Sequence, residues 1–247
     1  MDLMNEECKN REKLNIAAIV LAGGRGKRMK SERPKQYLEI HGRPILFYSL
    51  KAFQESCVDT IVLVCGKGEV SYCKEQIVGR YGLDKVKFVV EGGAERYNSV
   101  FNGLQYVKDS DCVLIHDGAR PFVTSEIIRD NINEVKHKKA CVTAVPSKDT
   151  VKMSDESGRV AATLPRQNVW IIQTPQTFDT ALIYKAYQEI MKQKDIAVTD
   201  DAMVLEAALS VPVYFVMGDY RNIKITTPED LKVAQLFAEE MGFDVHS

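Results

Sequence analysis

No Cys-x-x-Cys pair occurs among the six cysteines of this 247-residue sequence (Cys8, Cys57, Cys65, Cys73, Cys112 and Cys141). That spacing argues against a zinc site and against a disulfide framework. Several of the cysteines lie in apolar runs such as "VLVC" and "CVLIH", where cysteine acts as a small hydrophobe. A reducing, cytoplasmic location is therefore expected. No run approaches the ~18 apolar residues of a membrane helix, which removes a membrane as partner. Residues 1–14 are charged throughout and lack the apolar stretch of a signal peptide. They are expected to form a disordered extension. An excess of one charge is also missing: the net charge of −1 gives no global attraction to nucleic acid. Any anion site must be built locally. With no internal repeat, low-complexity tract or linker, residues 15–242 are expected to form a single domain.

What the chain does have is alternation. Short apolar, β-branched runs at 16–22, 60–66, 86–90, 112–117 and 140–146 read as strands. Amphipathic stretches at 44–56, 69–82, 95–107 and 124–139 read as helices between them. This order predicts an α/β fold of three layers: a mostly parallel twisted sheet with helices on both faces, Rossmann-like in kind. Ligands in such folds bind beyond the carboxyl ends of the strands. The alternation breaks at about 147–172, where short runs flank the turn-rich "SDESGR". A β-hairpin arm is expected there, needing something to pack on, and a second subunit is the economical choice. Helices at 180–193 and 200–209, strands "VPVYFV" and "NIKIT", and a closing helix from Thr227 or Pro228 complete the reading.

The loop after the first strand, "GGRGKRM", combines glycines with cations. A Gly-x-Gly-x-x-Gly dinucleotide loop starting at Gly24 would need glycine where Met29 stands. A P-loop fails as well, because Gly26-Lys27 is followed by Arg28 and its first glycine would fall on Leu21. What remains is a glycine turn offering bare N–H groups, with Arg25, Lys27, Arg28, Lys30, Arg33 and Lys35 behind it. Several cations around one short loop suit a polyphosphate.

"LAGGRGKRM…PKQYLEI" is similar to the signature of nucleotidyltransferases. The segments "EGGAERYNSVFNGL", "HDGARPFV", "AVPSKDTVK", "QTPQTF", "TDDAMVLE" and "NIKITTPEDL" follow in order. Together they resemble the 2-C-methyl-D-erythritol 4-phosphate cytidylyltransferase family of the non-mevalonate isoprenoid pathway, from about Ile16 to Leu236. The resemblance implies transfer of CMP from CTP to a small polyol phosphate. It implies Arg28 and Lys35 on the triphosphate, and Arg166 and Lys224 aiming the acceptor phosphate. Leu21, Ala22, Gly23 and Gly24 would line the nucleotide, and Gly93, Ala94 and Ser99 would read the cytosine. Asp117, Arg120, Thr150 and Thr199 would hold the acceptor, with Arg166 reaching the partner's site in a homodimer built through the arm. Mg²⁺ is implied, bound mainly through CTP phosphates, and no residue is named as its ligand.

From the residues alone, several of these have plainer readings. Lys35 could be a surface lysine, Ser99 a polar helix residue and Thr199 a helix cap. Asp117 and Arg120 could pair to organise their turn, with His116 a core residue. Two rival functions are a ribitol-5-phosphate cytidylyltransferase and a non-catalytic nucleotide-binding domain. Gly118 and Ala119 resemble the methylerythritol enzymes more than the ribitol ones.

Overall fold

The computed structural model describes residues 14–24, 29, 33–193 and 197–243. Residues 1–13 of the expected extension and Arg28, expected on the triphosphate, lie outside them, while Leu14 is described and packs against the core.

Strand β1 (Ile16–Ala22) is buried along nearly its whole length, as an uninterrupted apolar strand covered on both faces must be. Its side chains alternate between two cores. Ile16, Ala18, Val20 and Ala22 face one core, with helix α1 (Ile45–Gln54), the helical segment α2 (Val70–Tyr72, continuing π-wound over Cys73–Gly79) and α4 (Ser125–Lys138). Ala17 and Ile19 face the other, with α3 (Arg96–Leu104), α5 (Thr180–Ile190) and α6 (Asp201–Leu209). This is the expected three-layer α/β arrangement. A third cluster joins Met29, the small ribbon β2 (Glu39–Ile40) and β3 (Arg43–Pro44), and the closing helix α7 (Pro228–Glu240). Met29, which broke the dinucleotide pattern, is thus a buried core residue.

In the central sheet, β4 (Thr60–Cys65) and β6 (Cys112–Asp117) flank β1 in parallel, and β5 (Val86–Glu91) lies outside β4. The chain departs from β1 on both sides, which makes the β1–β6 boundary the switch point where a crevice opens. Register aligns the ends: Leu21 sits beside Asp117, Ala22 beside Cys65, and Cys65 beside Glu91. The loops after these strands therefore meet on one edge.

Three elements differ from the sequence expectation. First, β10 (Trp170–Asp179) is a ten-residue strand inserted antiparallel between β6 and β7 (Ala140–Pro146). Residues 170–172, expected in the arm, pair instead with 144–146. Polar "QTPQT" hides a central strand because its buried side chains find partners: Thr174 and Gln176 hydrogen-bond within the core. Second, "NIKIT" makes no strand. Its groups go elsewhere, with Ile225 N–H donating to Ala119 O and the Asn222 amide to Gln173 and Thr174. Third, residues 69–82 break their helical regularity into the π-wound stretch of α2. The arm itself is present as β8 (Lys152–Ser154) paired with β9 (Val160–Thr163), exposed throughout. The edge strand β11 (Tyr214–Met217) pairs in parallel with β7. Among the described residues, no helix is long and apolar enough to cross a membrane.

Candidate active site

The turn after β1 places Gly23 and Gly24 in solvent at the crevice. Gly24 has φ +118°, a conformation that side-chain-bearing residues rarely adopt, so glycine is required by backbone geometry. Leu21 O receives the N–H of Gly118, which binds the turn after β6 to the end of β1. At Gly118 the limit is space: a Cβ there would lie 2.8 Å from Leu46 Cδ1 and 3.0 Å from Leu21 O.

The second turn follows β5. The Ser99 hydroxyl accepts from Gly93 N at 3.1 Å and donates to Glu95 O at 3.1 Å. Ser99 is buried and shapes this turn, leaving Gly93 and Ala94 exposed. Glu95 and Asn98 form a reciprocal cap at the start of α3.

Lys35 opens a short 3₁₀ turn, Lys35–Tyr37, tied to the rest of the edge at three points. The Lys35 ammonium donates to Ile225 O at 3.0 Å, the Gln36 amide to Ala22 O, and the Tyr37 hydroxyl to Glu69 at 2.7 Å. The surface-lysine reading of Lys35 is thereby replaced by a half-buried cation held between the two sides of the crevice.

Asp117 ends β6. Lys224 Nζ lies 2.7 Å from its Oδ2, and Arg96 Nε lies 3.4 Å from its Oδ1. Burial alone would raise its pKa, yet these cations overcome that cost and hold the carboxyl well below the usual carboxylate range. Arg96 in turn makes a bidentate pair with the fully buried Asp201, at 2.8 and 2.7 Å. The Tyr187 hydroxyl adds a 2.6 Å donation to Asp201. The alternative reading of an Asp117–Arg120 side-chain pair is not met: these residues are joined by the backbone bond from Arg120 N to Asp117 O at 2.9 Å. The Arg120 guanidinium donates to Asn222 O at 2.7 Å and to Ile172 O at 3.4 Å, fastening the segment that carries Lys224. Nε of Arg120 and Oδ1 of Asn222 are buried without a hydrogen-bond partner.

Thr199 is exposed and does not cap α6; that cap is Asp200, whose side chain accepts from Met203 N. Thr150 and Arg166 lie on the exposed arm. Sequence reasoning missed Arg96, Asp201 and Gln36. Arg96 carried a signal: a cation in the first turn of a helix opposes the macrodipole, so it must be held there by something else. Among the described residues, no three His, Cys, Asp or Glu side chains are placed to hold a metal.

The model of the 2-C-methyl-D-erythritol 4-phosphate cytidylyltransferase family matches residues 16–240. A protein of that name from Lachnoclostridium phytofermentans is 51% identical over 225 residues, covering 91% of this chain and 97% of its own length. Another from Alkaliphilus oremlandii is 48% identical over 221 residues, covering 89% and 93%. The crystal structure of 4-diphosphocytidyl-2C-methyl-D-erythritol synthase from Anaerococcus prevotii superposes with a TM-score of 0.80 at 36% identity, covering 91% of this chain and 98% of that one. The cytidylyltransferase of Thermus thermophilus gives 0.72 at 28% identity, covering 90% and 98%.

Proposed function

The chain belongs to the 2-C-methyl-D-erythritol 4-phosphate cytidylyltransferase family, and from this premise we propose how its own residues divide the reaction. The enzyme transfers CMP from CTP to the acceptor's 4-phosphate, giving 4-diphosphocytidyl-2-C-methyl-D-erythritol and pyrophosphate in isoprenoid precursor synthesis. An acceptor phosphate oxygen attacks the α-phosphorus of CTP. The bond to the bridging oxygen breaks, and pyrophosphate leaves with that electron pair. No protein group needs to be covalently involved, so positioning and charge stabilisation are the protein's contribution.

The glycine turn at Leu21–Gly24 would hold the nucleotide through backbone groups, and the turn at Gly93 and Ala94, shaped by Ser99, would face the cytosine. Lys35, with Arg28 of the same loop, would take the triphosphate. Lys224 and Thr199 would take the acceptor phosphate on the other side of Asp117, joined by Arg166 and Thr150 from a partner's arm. Arg120 would act through the segment it fastens, holding residues 222–224 in place. The observation that carries this division is the Asp117–Lys224 pair at the carboxyl edge, 2.7 Å apart, with Asp117 in register beside Leu21 at the start of the first glycine turn. A non-catalytic binding domain would not require a cation there.

Mg²⁺ fits as a metal bound by CTP phosphates and water, as a hard ion prefers, since Asp117 is already engaged by two cations. When bound it would neutralise developing charge on the phosphates. We further propose a cytoplasmic homodimer of one domain per chain. The exposed arm and the exposed Ile171, Phe215 and Met217 beside it supply an apolar face for the second copy.

The test is pyrophosphate release from CTP and Mg²⁺ with either 2-C-methyl-D-erythritol 4-phosphate or ribitol 5-phosphate. Turnover of the first acceptor is expected, and turnover of the ribitol compound alone would overturn the assignment. Lys35→Ala should lower kcat by about 10²–10³-fold, the usual loss for one transition-state donor. An unchanged kcat would remove Lys35 from the triphosphate.

A further inference from the structure

The side chains of Tyr187, Asp201, Arg96, Asp117 and Lys224 form one continuous hydrogen-bonded chain through the interior to the crevice. Burying a guanidinium and a carboxylate is costly, and a buried pair is weak evidence of a contribution to stability alone. Nor does α6 need this pair to begin. Asp200 caps the helix, and Gln176 Oε1 accepts both Asp201 N and Ala202 N at 3.0 Å. What the Asp201 fork does accomplish is to fix the plane of Arg96, with both Nη atoms occupied and Nε directed at Asp117 Oδ1.

The other oxygen of Asp117 holds Lys224. A phosphate arriving at Lys224 competes with Asp117 for the same ammonium. Without Arg96, the carboxylate would then face an incoming anion with only the more distant Arg120 to offset its charge. With Arg96 locked by Asp201, Asp117 keeps a counter-charge while Lys224 turns to the acceptor.

We propose that Asp201 and Arg96 are positioning residues for acceptor capture, acting on Lys224 through Asp117. The proposal rests on the reading that Lys224 holds the acceptor phosphate, and a double-mutant cycle separates the two. Asp201→Asn should lower kcat/KM for methylerythritol phosphate about tenfold, with KM for CTP essentially unchanged. In a Lys224→Ala background the same substitution should change kcat/KM by less than about twofold. Arg96→Lys keeps the charge but loses the fork, and should fall between wild type and Asp201→Asn. If Asp201→Asn does not fold, Tyr187→Phe, which removes one hydrogen bond to the same carboxylate, carries the cycle with a smaller effect in the same direction. Equal losses in both backgrounds, or a parallel rise in KM for CTP, would overturn the relay. If Lys224→Ala leaves the acceptor KM unchanged, the assignment of Lys224 fails, and the relay fails with it.

Discussion

His116 and Asp117 are neighbours in the chain, yet their surroundings keep the first neutral and the second charged. Both ring nitrogens of His116 are engaged in the core, Nε2 at 3.1 Å from Arg120 O and Nδ1 at 3.0 Å from Thr174 Oγ1. Arg120 O can only accept, so Nε2 carries the proton and Nδ1 accepts from the threonine hydroxyl. Burial pushes the pKa of the ring down to about 4 from 6.5, so it is neutral in the working range. The unfolded chain takes up a proton below pH 6.5 that the folded one refuses. Stability therefore falls as pH drops from 6.5 towards about 4, by about 3 kcal/mol in all for this group. His116→Asn should flatten the pH dependence of the urea-unfolding free energy over that window, and an unchanged slope would show that another group sets it. Asp117 remains ionised throughout, because Arg96 and Lys224 hold it down. Gly118, next along, tests close packing: Gly118→Ala should cost about 1–3 kcal/mol in thermal unfolding, since backbone and Leu46 must both give way. The position of Asp117 at a strand end was legible in the sequence, because the apolar run 112–117 marks its strand. Arg96 was not, because its partners Asp201 and Asp117 lie 105 and 21 residues away.

Elements that follow simple hydrophobic periodicity were readable, and those whose polar groups are satisfied by distant partners were not. Strands β1, β4 and β6 are apolar runs buried on both faces, so composition alone marks them. By contrast β10 contains buried Gln173, Thr174, Gln176 and Thr177. Residues 173–179 therefore received no strand from periodicity, and only the partners on α4, α6 and β7 make them one. The reverse holds for 222–226, whose alternating apolar residues pack as Ile225 under α7 and into Arg120 contacts without any ladder. At helix α6 the plainer alternative for Thr199, a helix cap, misses by one residue. Asp200 does that work, and the exposed threonine hydroxyl lies 3.8 Å from Met203 Sδ. Asp200→Ala should remove the bonds to Met203 N and to the Gln176 amide. The expected cost is about 1–2 kcal/mol, read as a lower melting temperature. Thr199→Ala should leave the melting temperature within the range of surface substitutions, about 0.5 kcal/mol. A larger loss for Thr199→Ala would restore it as the cap.

An isolated two-stranded hairpin is marginal in water, yet β8–β9 stands away from the body with Met153 and Val160 more than half exposed. Trp170 stacks on Phe215 at 4.9 Å where the arm joins the sheet, giving its base a rigid support beside the edge strand β11. An exposed edge strand next to an exposed arm is the arrangement that pairing with a second copy would resolve. If Arg166 on that arm completes the partner's site, activity must complement between two inactive chains. In a mixture of Arg166→Ala with Lys35→Ala, half of the dimers are mixed. Each mixed dimer then contains one site with both residues intact and one with neither. Equal amounts, allowed to exchange, should therefore recover about a quarter of the wild-type specific activity, while either variant alone stays near zero. Sites built within single chains would recover nothing, because every chain would lack one of the two cations whatever its partner. Because either variant alone stays near zero, the fraction recovered reads out the geometry directly.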